Sequence, residues 1–315
     1  MSAPLRVGVV GVGHLGRHHA RLLSTMPGVT LVGVVDQSEA RAQEIAAAAS
    51  TIAFTDPRAL DGQVDAVTVA VPTEAHLDVA LGFIERGVHV LVEKPLARTV
   101  EEADRLVNAA ATRGVTLAVG HTERFNPAID AARALLRGPR FIEAHRLGTF
   151  PERSLDIDVV FDLMIHDLDI VLSIVGEPTV SVEAVGVPVL TPRIDIANVR
   201  LRFAGGCIAN LTASRISRDR IRKIRFFQPQ AYLSVDYAAQ EIEHWTLGPP
   251  EAGSPRPSIL GGKVEVAKDE PLRRELEDFV GAVRERRAPG VTGEAGREAL
   301  RLAAVIIERM QHGQR

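Results

Sequence analysis

Apolar residues in the first 120 positions come in short unbroken runs separated by stretches of helical period. Leu5–Val10, Leu31–Val35, Ala66–Val71, Val88–Val92 and Val115–Val119 are rich in β-branched residues and carry no polar face. That is the pattern of strands covered on both sides of a parallel sheet. Helices are predicted between them, from Gly16 through Leu23 and over Glu39–Ala49, Glu74–Arg86 and Thr99–Thr112. Alanine content favours the second of these, and Thr99 with Glu102 has capping-box spacing at the start of the last. The alternation predicts a six-stranded, doubly wound α/β domain, five of whose strands these runs locate. Ligands in that architecture bind beyond the carboxyl ends of the strands.

The pattern changes after residue 121. Asn126–Leu136 reads as a helix with Pro127 in its first turn, and Phe141–Gly148 as a strand that crosses into a second domain. From Thr179 strands follow at short spacing. Asn198–Phe203 alternates polar and apolar residues, and Gly205-Gly206 is a hairpin signal leading into Cys207–Ala213. Ile221–Gln228, Tyr232–Tyr237 and Ile242–Leu247 are further strands, proline-rich Gly248–Ser258 is a loop, and Pro271–Arg286 and Gly293–Met310 are closing helices. A chain of 315 residues exceeds the length at which one core stops growing, about 250–300 residues. Two domains are expected, 1–121 and 122–315, with the C-terminal helix returning to pack on the first.

Val159–Val175 interrupts this regularity, because a nearly continuous apolar segment carries carboxylates and an imidazole. As a helix it would align Asp162, His166, Asp169 and Ser173 in one polar stripe, with Phe161, Leu163, Met164, Ile165, Leu168, Val171 and Leu172 around the rest. A buried, unpaired carboxylate costs several kcal/mol or takes up a proton, so the stripe must be paired, solvated or functional.

Composition narrows the classes. A net charge of −3 with both signs interspersed offers no footprint for nucleic acid or an anionic membrane. The basic run Arg215, Arg218, Arg220, Arg222, Lys223 and Arg225 falls by alternation on a sheet face, where it would be solvated, face another subunit or meet an anionic substrate. One cysteine, Cys207, excludes an internal disulfide and a zinc cluster and fits a reducing compartment. With no secretory h-region and no membrane-length apolar window, a soluble cytoplasmic protein is expected.

The strongest chemical signal is Gly11-Val12-Gly13-His14-Leu15-Gly16. It lies between a strand and a helix, and a second strand ends in Asp36, twenty residues beyond Gly16. Gly11 permits the tight turn, Gly13 lets backbone approach a pyrophosphate, and Gly16 lets helix and sheet pack closely. The phosphates would lie on the helix N-terminus. Asp36 accepts hydrogen bonds from ribose hydroxyls and repels a 2′-phosphate, and neighbouring Gln37 supplies no cation; NAD is favoured over NADP, although Arg41 could reach a phosphate. Pro72-Thr73, Glu93-Lys94-Pro95 and Gly120-His121 sit at other strand ends, and Lys94 is the most informative. It is either held near the nicotinamide or is an ordinary loop lysine. Asp162, His166 and Asp169 could ligate a metal by spacing, but no further ligand set lies nearby and no metal is expected.

Together with Val71-Pro72-Thr73, His76 and the long run Gly87-Val88-His89-Val90-Leu91-Val92-Glu93-Lys94-Pro95-Leu96-Ala97, the glycine motif resembles the Gfo/Idh/MocA family. Its members are NAD(P)-dependent oxidoreductases of sugars, cyclitols and sugar nucleotides. The resemblance implies a Rossmann domain followed by an α+β domain with a large, mainly antiparallel sheet. It makes Lys94, Asp162 and His166 the catalytic residues, and it implies cofactor contacts from Gly11, Gly13, His14, Leu15, Gly16, Asp36, Gln37, Pro72, Thr73, His76, Glu93 and Lys94. Glycines common around the family's Asp/His pair are absent here, so the shape presented to substrate differs. Gly120–Ala128, Ala213-Ser214-Arg215 and Lys223-Ile224-Arg225 further resemble the branch that includes bacterial UDP-N-acetylglucosamine 3-dehydrogenases. That likeness implies substrate contacts from Lys94, Arg124, Asn126, Asp162, His166 and Arg215, with Arg124 and Arg215 on a diphosphate. A free-sugar or cyclitol dehydrogenase and a non-catalytic dinucleotide-binding protein are the alternatives. The outer face of an open sheet must be covered, so a homodimer or homotetramer is expected.

Overall fold

In a computed structural model, the structure describes residues 3–150, 157–250 and 256–313. Its internal contacts divide the chain into two units, Met1–Thr122 with Glu270–Leu300, and Glu123–Asp269 with Arg301–Arg315. Glu270–Leu300 thus goes with the first unit, while the final helix contributes residues to both.

In the first unit the unbroken apolar runs form a parallel sheet of β1 (Leu5–Val10), β2 (Val29–Val35), β3 (Ile52–Phe54), β4 (Ala66–Val69), β5 (His89–Glu93) and β6 (Leu117–Gly120). The order is β3-β2-β1-β4-β5-β6, and every pairing is parallel. The order reverses between β1 and β4, and this is where nucleotides bind in such folds. Helices α1 (Gly16–Ser24), α2 (Glu39–Ala49), α3 (His76–Glu85) and α4 (Val100–Arg113) connect the strands. The Thr99 side chain accepts from the Glu102 amide and caps α4, which Gly114 ends in the left-handed region. β3 has no counterpart among the predicted strands; three residues at a sheet edge, with Ile52 largely exposed, leave no periodicity to read.

Residues past Phe141 build an eight-stranded sheet from β7 (Phe141–Leu147), β8 (Thr179–Val187), β9 (Ile196–Phe203), β10 (Ile208–Ser214), β11 (Ile221–Gln228), β12 (Ala231–Asp236), β13 (Glu241–Pro250) and β14 (Pro257–Val264). Their order is β14-β13-β12-β11-β7-β10-β9-β8. Only β7 and β10 pair in parallel; the others are antiparallel. The predicted loop over 248–258 is in part strand: β13 runs to Pro250, β14 starts at Pro257, and 251–255 lie outside the described residues. On β9, buried Ala197, Val199, Leu201 and Phe203 alternate with exposed Asn198, Arg200 and Arg202. The buried face packs on α5 (Pro127–Leu135) and on the segment 159–175 through Ile129, Met164, Leu168 and Val171.

That segment is not one regular helix. Val160–Met164 is a π-helical turn in which the Ile165 amide reaches back five residues to the Val160 carbonyl, and α6 (Ile165–Val175) follows. Such wide turns insert a residue and re-aim side chains, which is why they recur at functional sites.

Closing helix α7 (Pro271–Glu285) lays Leu276, Phe279 and Val280 on the first core beside Val7, Val9 and Leu23. α8 (Gly293–Gly313) approaches β6 so closely that a Cβ on Gly296 would lie 2.5 Å from Val119. Its later residues Leu302, Ala303, Ile306 and Met310 belong to the second core. Among the described residues no helix is long and apolar enough to cross a membrane.

Candidate active site

In the first unit the glycine turn closes as its spacing predicts. Gly11 has φ +84°, and a Cβ there would meet the Ala70 carbonyl oxygen at 2.7 Å. At Gly16 a Cβ would lie 1.7 Å from the Gly11 oxygen, whereas at Gly13 nothing approaches within 4 Å. Two glycines therefore serve the fold and the middle one leaves open space. α1 starts at Gly16 with no side-chain cap and no acidic residue in its first turn, so the positive end of its dipole meets no carboxylate of its own first turn. His14 and Leu15 are exposed on the turn, and His14 meets His18 edge to face at 6.1 Å.

Asp36 joins the turn to the end of β2. One oxygen accepts from the Val12 amide at 3.0 Å and the other from the Ser38 amide at 2.9 Å. The Arg41 guanidinium sits against the same carboxylate at 3.2 Å, and Gln37 is exposed. A dinucleotide fits these residues: an uncapped helix end, a gap over Gly13 and a fixed carboxylate beyond a strand end are the three features that such a ligand needs.

Lys94 is half-buried and follows β5; the peptide between Lys94 and Pro95 is cis. Its amide donates to Glu93 Oε2 at 3.2 Å. Pro72 and Thr73 open a short 3-10 turn at the end of β4, ahead of His76. His76 is 1% exposed, with Nδ1 2.9 Å from the Pro95 oxygen and Nε2 3.0 Å from the Val71 oxygen. Burial pulls its pKa below the usual histidine value, against these two carbonyls. A neutral imidazole carries one N–H, so His76 donates to one of these carbonyls and packs against the other, between the residues that follow β4 and β5.

In the second unit the polar residues of 159–175 separate into two kinds. Asp162 and His166 are half-buried, while Asp167 and Asp169 are buried. Asp169 receives one edge of the Arg124 guanidinium, Nε to Oδ2 at 2.8 Å and Nη2 to Oδ1. Asp167 receives Arg146 in the same forked way, Nε to Oδ2 at 2.8 Å and Nη2 to Oδ1 at 3.1 Å. Glu123 adds a second carboxylate to Arg146 at 3.0 Å, and the guanidinium stacks over the Tyr237 ring at 5.2 Å. Burial opposes the Arg146 charge, but Asp167 and Glu123 outweigh it and hold its pKa above the ordinary value. Asp162 and His166 are thus the half-buried acid and imidazole of a segment that Arg124 and Arg146 hold through Asp169 and Asp167.

The other residues expected on substrate do not share this setting. Arg215 is 1% exposed: its Nε donates to Asp195 at 2.8 Å, Nη1 to the Ile157 carbonyl at 2.6 Å and Nη2 to Thr191 at 3.1 Å. Asp195 also accepts the amides of Val189, Leu190 and Thr191. A diphosphate contact from Arg215 does not fit this, since the guanidinium already ties β10 to the loop after β8. Asn126 is likewise buried; its Oδ1 caps α5 at the Ala128 amide and its Nδ2 donates to the Tyr237 carbonyl. Arg124 remains partly exposed but is paired with Asp169. Sequence reading missed the Arg146–Asp167–Glu123 cluster; its one signal was a further acid inside an apolar helix, at Asp167.

These features define an oxidoreductase with a nicotinamide dinucleotide site. Residues 5–121 match the model of the oxidoreductase family with an NAD-binding Rossmann fold, residues 128–230 match the Gfo/Idh/MocA C-terminal domain, and the chain belongs to the Gfo/Idh/MocA family. Over 305 residues it is 42% identical to UDP-N-acetylglucosamine 3-dehydrogenase of Acidithiobacillus ferrooxidans, covering 96% of each chain. A solved structure of that enzyme superposes with a TM-score of 0.92 at 39% identity over 99% of each chain. Scyllo-inositol 2-dehydrogenase (NAD(+)) of Bacillus subtilis is 30% identical over 236 residues, 69% of each chain.

Proposed function

We propose that the protein is an NAD-dependent dehydrogenase that oxidises the 3-hydroxyl of a UDP-sugar of the UDP-N-acetylglucosamine type to a ketone, or runs the reverse reduction. The observation that carries this reading is likeness at 42% identity to an enzyme of that name across 96% of both chains. The inositol dehydrogenase is more distant and matches a smaller share of the chain. NAD is favoured over NADP because the Asp36 carboxylate is fixed by two amides where the adenosine ribose would be read, and Arg41 is spent on that carboxylate.

Bound nicotinamide would supply the hydride chemistry; the chain supplies placement and proton handling. His166 carries the substrate hydroxyl proton, the role for which an imidazole is suited near neutral pH. Asp162 orients that hydroxyl, and the Lys94 ammonium stabilises developing negative charge on oxygen. Gly11, Gly13, His14, Leu15, Gly16, Asp36, Gln37, Pro72, Thr73 and Glu93 form or support the cofactor site, and Arg124 lies at the edge of the substrate site. Assembly as a homodimer or homotetramer is proposed through the outer face of the large sheet. There Phe141, Phe227, Tyr232 and Trp245 stand in register across four strands, with Phe227 and Trp245 exposed. A cytoplasmic location suits a single cysteine, Cys207, whose thiol burial pushes up to about 11.

The test follows nicotinamide reduction with UDP-N-acetylglucosamine, other UDP-sugars, free sugars and inositols. Turnover of the UDP-sugar is expected, and His166→Ala should lower kcat at least ~100-fold while NAD affinity is kept. Turnover of free inositol with none of UDP-sugars would replace this reading by the cyclitol one.

A further inference from the structure

A second titratable cluster lies inside the first unit, away from any solvent. His19 on α1, Glu93 at the end of β5 and Glu275 on α7 are 0%, 5% and 1% exposed, and one ligand atom from each lies within 4.8 Å of the others. His19 Nε2 is 3.0 Å from Glu93 Oε1, and Glu93 Oε2 accepts the Lys94 amide at 3.2 Å. The carboxylate fits there because β6 carries a glycine: a Cβ on Gly120 would lie 2.9 Å from the Glu93 carboxyl carbon and oxygen.

We infer that His19 is a positioning residue for Lys94, acting through Glu93. This rests on the proposed role of Lys94. A carboxylate only accepts hydrogen bonds, so the contact has Nε2–H donating to Oε1. Burying a carboxylate requires donors to replace water, and a second carboxylate nearby raises the cost of turning toward it. His19 and the Lys94 amide each take one oxygen of Glu93, and Gly120 leaves the room the carboxylate occupies. The Lys94 backbone is thereby set by a side chain two elements away. Without His19, Glu93 Oε1 loses its buried donor and the carboxylate is free to swing, which weakens its hold on that amide. A displacement of about 1 Å at a catalytic group is enough to cost on the order of 100-fold in rate.

The experiment compares His19→Leu, His19→Gln, Gly120→Ala, Lys94→Met and the His19→Leu/Lys94→Met double variant in the full-length enzyme, with UDP-N-acetylglucosamine and NAD. Gln keeps a donor near the place of Nε2. His19→Leu and Gly120→Ala are each expected to lower kcat about 10- to 100-fold with KM for NAD within about twofold, His19→Gln to recover most of the loss, and His19→Leu to change little in the Lys94→Met background. Gly120→Ala removes no functional group and carries the test if His19→Leu fails to fold. Unchanged kcat in both His19→Leu and Gly120→Ala, or a His19→Leu loss as large without Lys94, overturns the inference and leaves the function reading intact. Wild-type turnover by Lys94→Met instead overturns the role of Lys94 on which the inference rests.

Discussion

Around Lys94 most of the side-chain contacts are to main chain, with His19–Glu93 the buried exception, and around His166 the chain is held by buried arginine–carboxylate pairs. Carbonyls of Val71 and Pro95 take His76, the amides of Val12 and Ser38 take Asp36, and glycines make the turn. In the second unit Arg124, Arg146 and Arg215 grip Asp169, Asp167 and Asp195. The contrast follows from the layouts. A parallel sheet already ends its strands and starts its helices on one edge, so short-range backbone geometry suffices to make a site there. A helix lying on one face of an open sheet has no such edge, and its rotation and depth are set by side chains reaching from other elements.

The comparison breaks most visibly at Arg146. Removing Asp167 would strand a fully buried guanidinium with Glu123 alone. Loss of one partner from a buried pair costs about 3–5 kcal/mol, so Asp167→Ala should lower unfolding stability by that much in urea titration. Glu143→Ala, which frees the half-exposed Arg225, should cost less than about 1 kcal/mol. Similar losses from both would mean that the buried pairs do not set this unit's stability.

The same contrast decides what could be read from the residues alone. Gly11, Gly13, Gly16 and Asp36 announce themselves because the turn, the helix start and the acid stand at fixed short offsets. Thr99 capping α4 and Asn126-Pro127 opening α5 are equally local. β3 escaped because three residues at an edge show no period. The π-helical turn escaped because a wide turn and an α-turn share the same apolar stripe. Partners on distant elements leave no local trace: Asp167 meets Arg146 from 21 residues away and Asp169 meets Arg124 from 45. Arg215 looked like an anion contact because a basic residue on a strand reads as exposed until the carboxylate facing it, Asp195, is known.

Within the first unit the glycines separate fold from ligand. Gly16→Ala sets a Cβ against backbone and should destabilise the domain by at least ~1–3 kcal/mol, the usual cost of overpacking. Gly13→Ala enters open space, so its thermal midpoint should stay within about 2 °C of wild type. If the cofactor pyrophosphate occupies that space, Gly13→Ala should weaken NAD binding about tenfold, or ~1.4 kcal/mol, measured by calorimetric titration. Unchanged NAD affinity would remove Gly13 from the cofactor site.

The smallest predicted effect concerns acid. His76 and His89 have pKa values lowered by burial, in His76 against its carbonyl contacts and in His89 against the charge of Asp65. A histidine whose folded pKa lies below its unfolded value binds more protons when unfolded, so it weakens the fold as pH falls below about 6.5. Asp195 responds in the same direction but in a lower pH window. Burial would raise its pKa, but the Thr191, Leu190 and Val189 amides and Arg215 hold it well below the carboxylate range. Its contribution is complete above the unfolded carboxylate value of about 3.9 and is lost only as pH falls toward the folded one. Between pH 6.5 and 4.5 the first unit should therefore lose stability from these groups while Asp195 keeps its contribution to the second. Hydrogen exchange corrected for intrinsic rates should show protection falling in β4 and β5 before β9 and β10, and His76→Gln should flatten the first-unit slope. Equal slopes in the two sheets would mean that the buried histidines and the arginine clamps respond to protons alike, and the distinction between the units would then be one of geometry only.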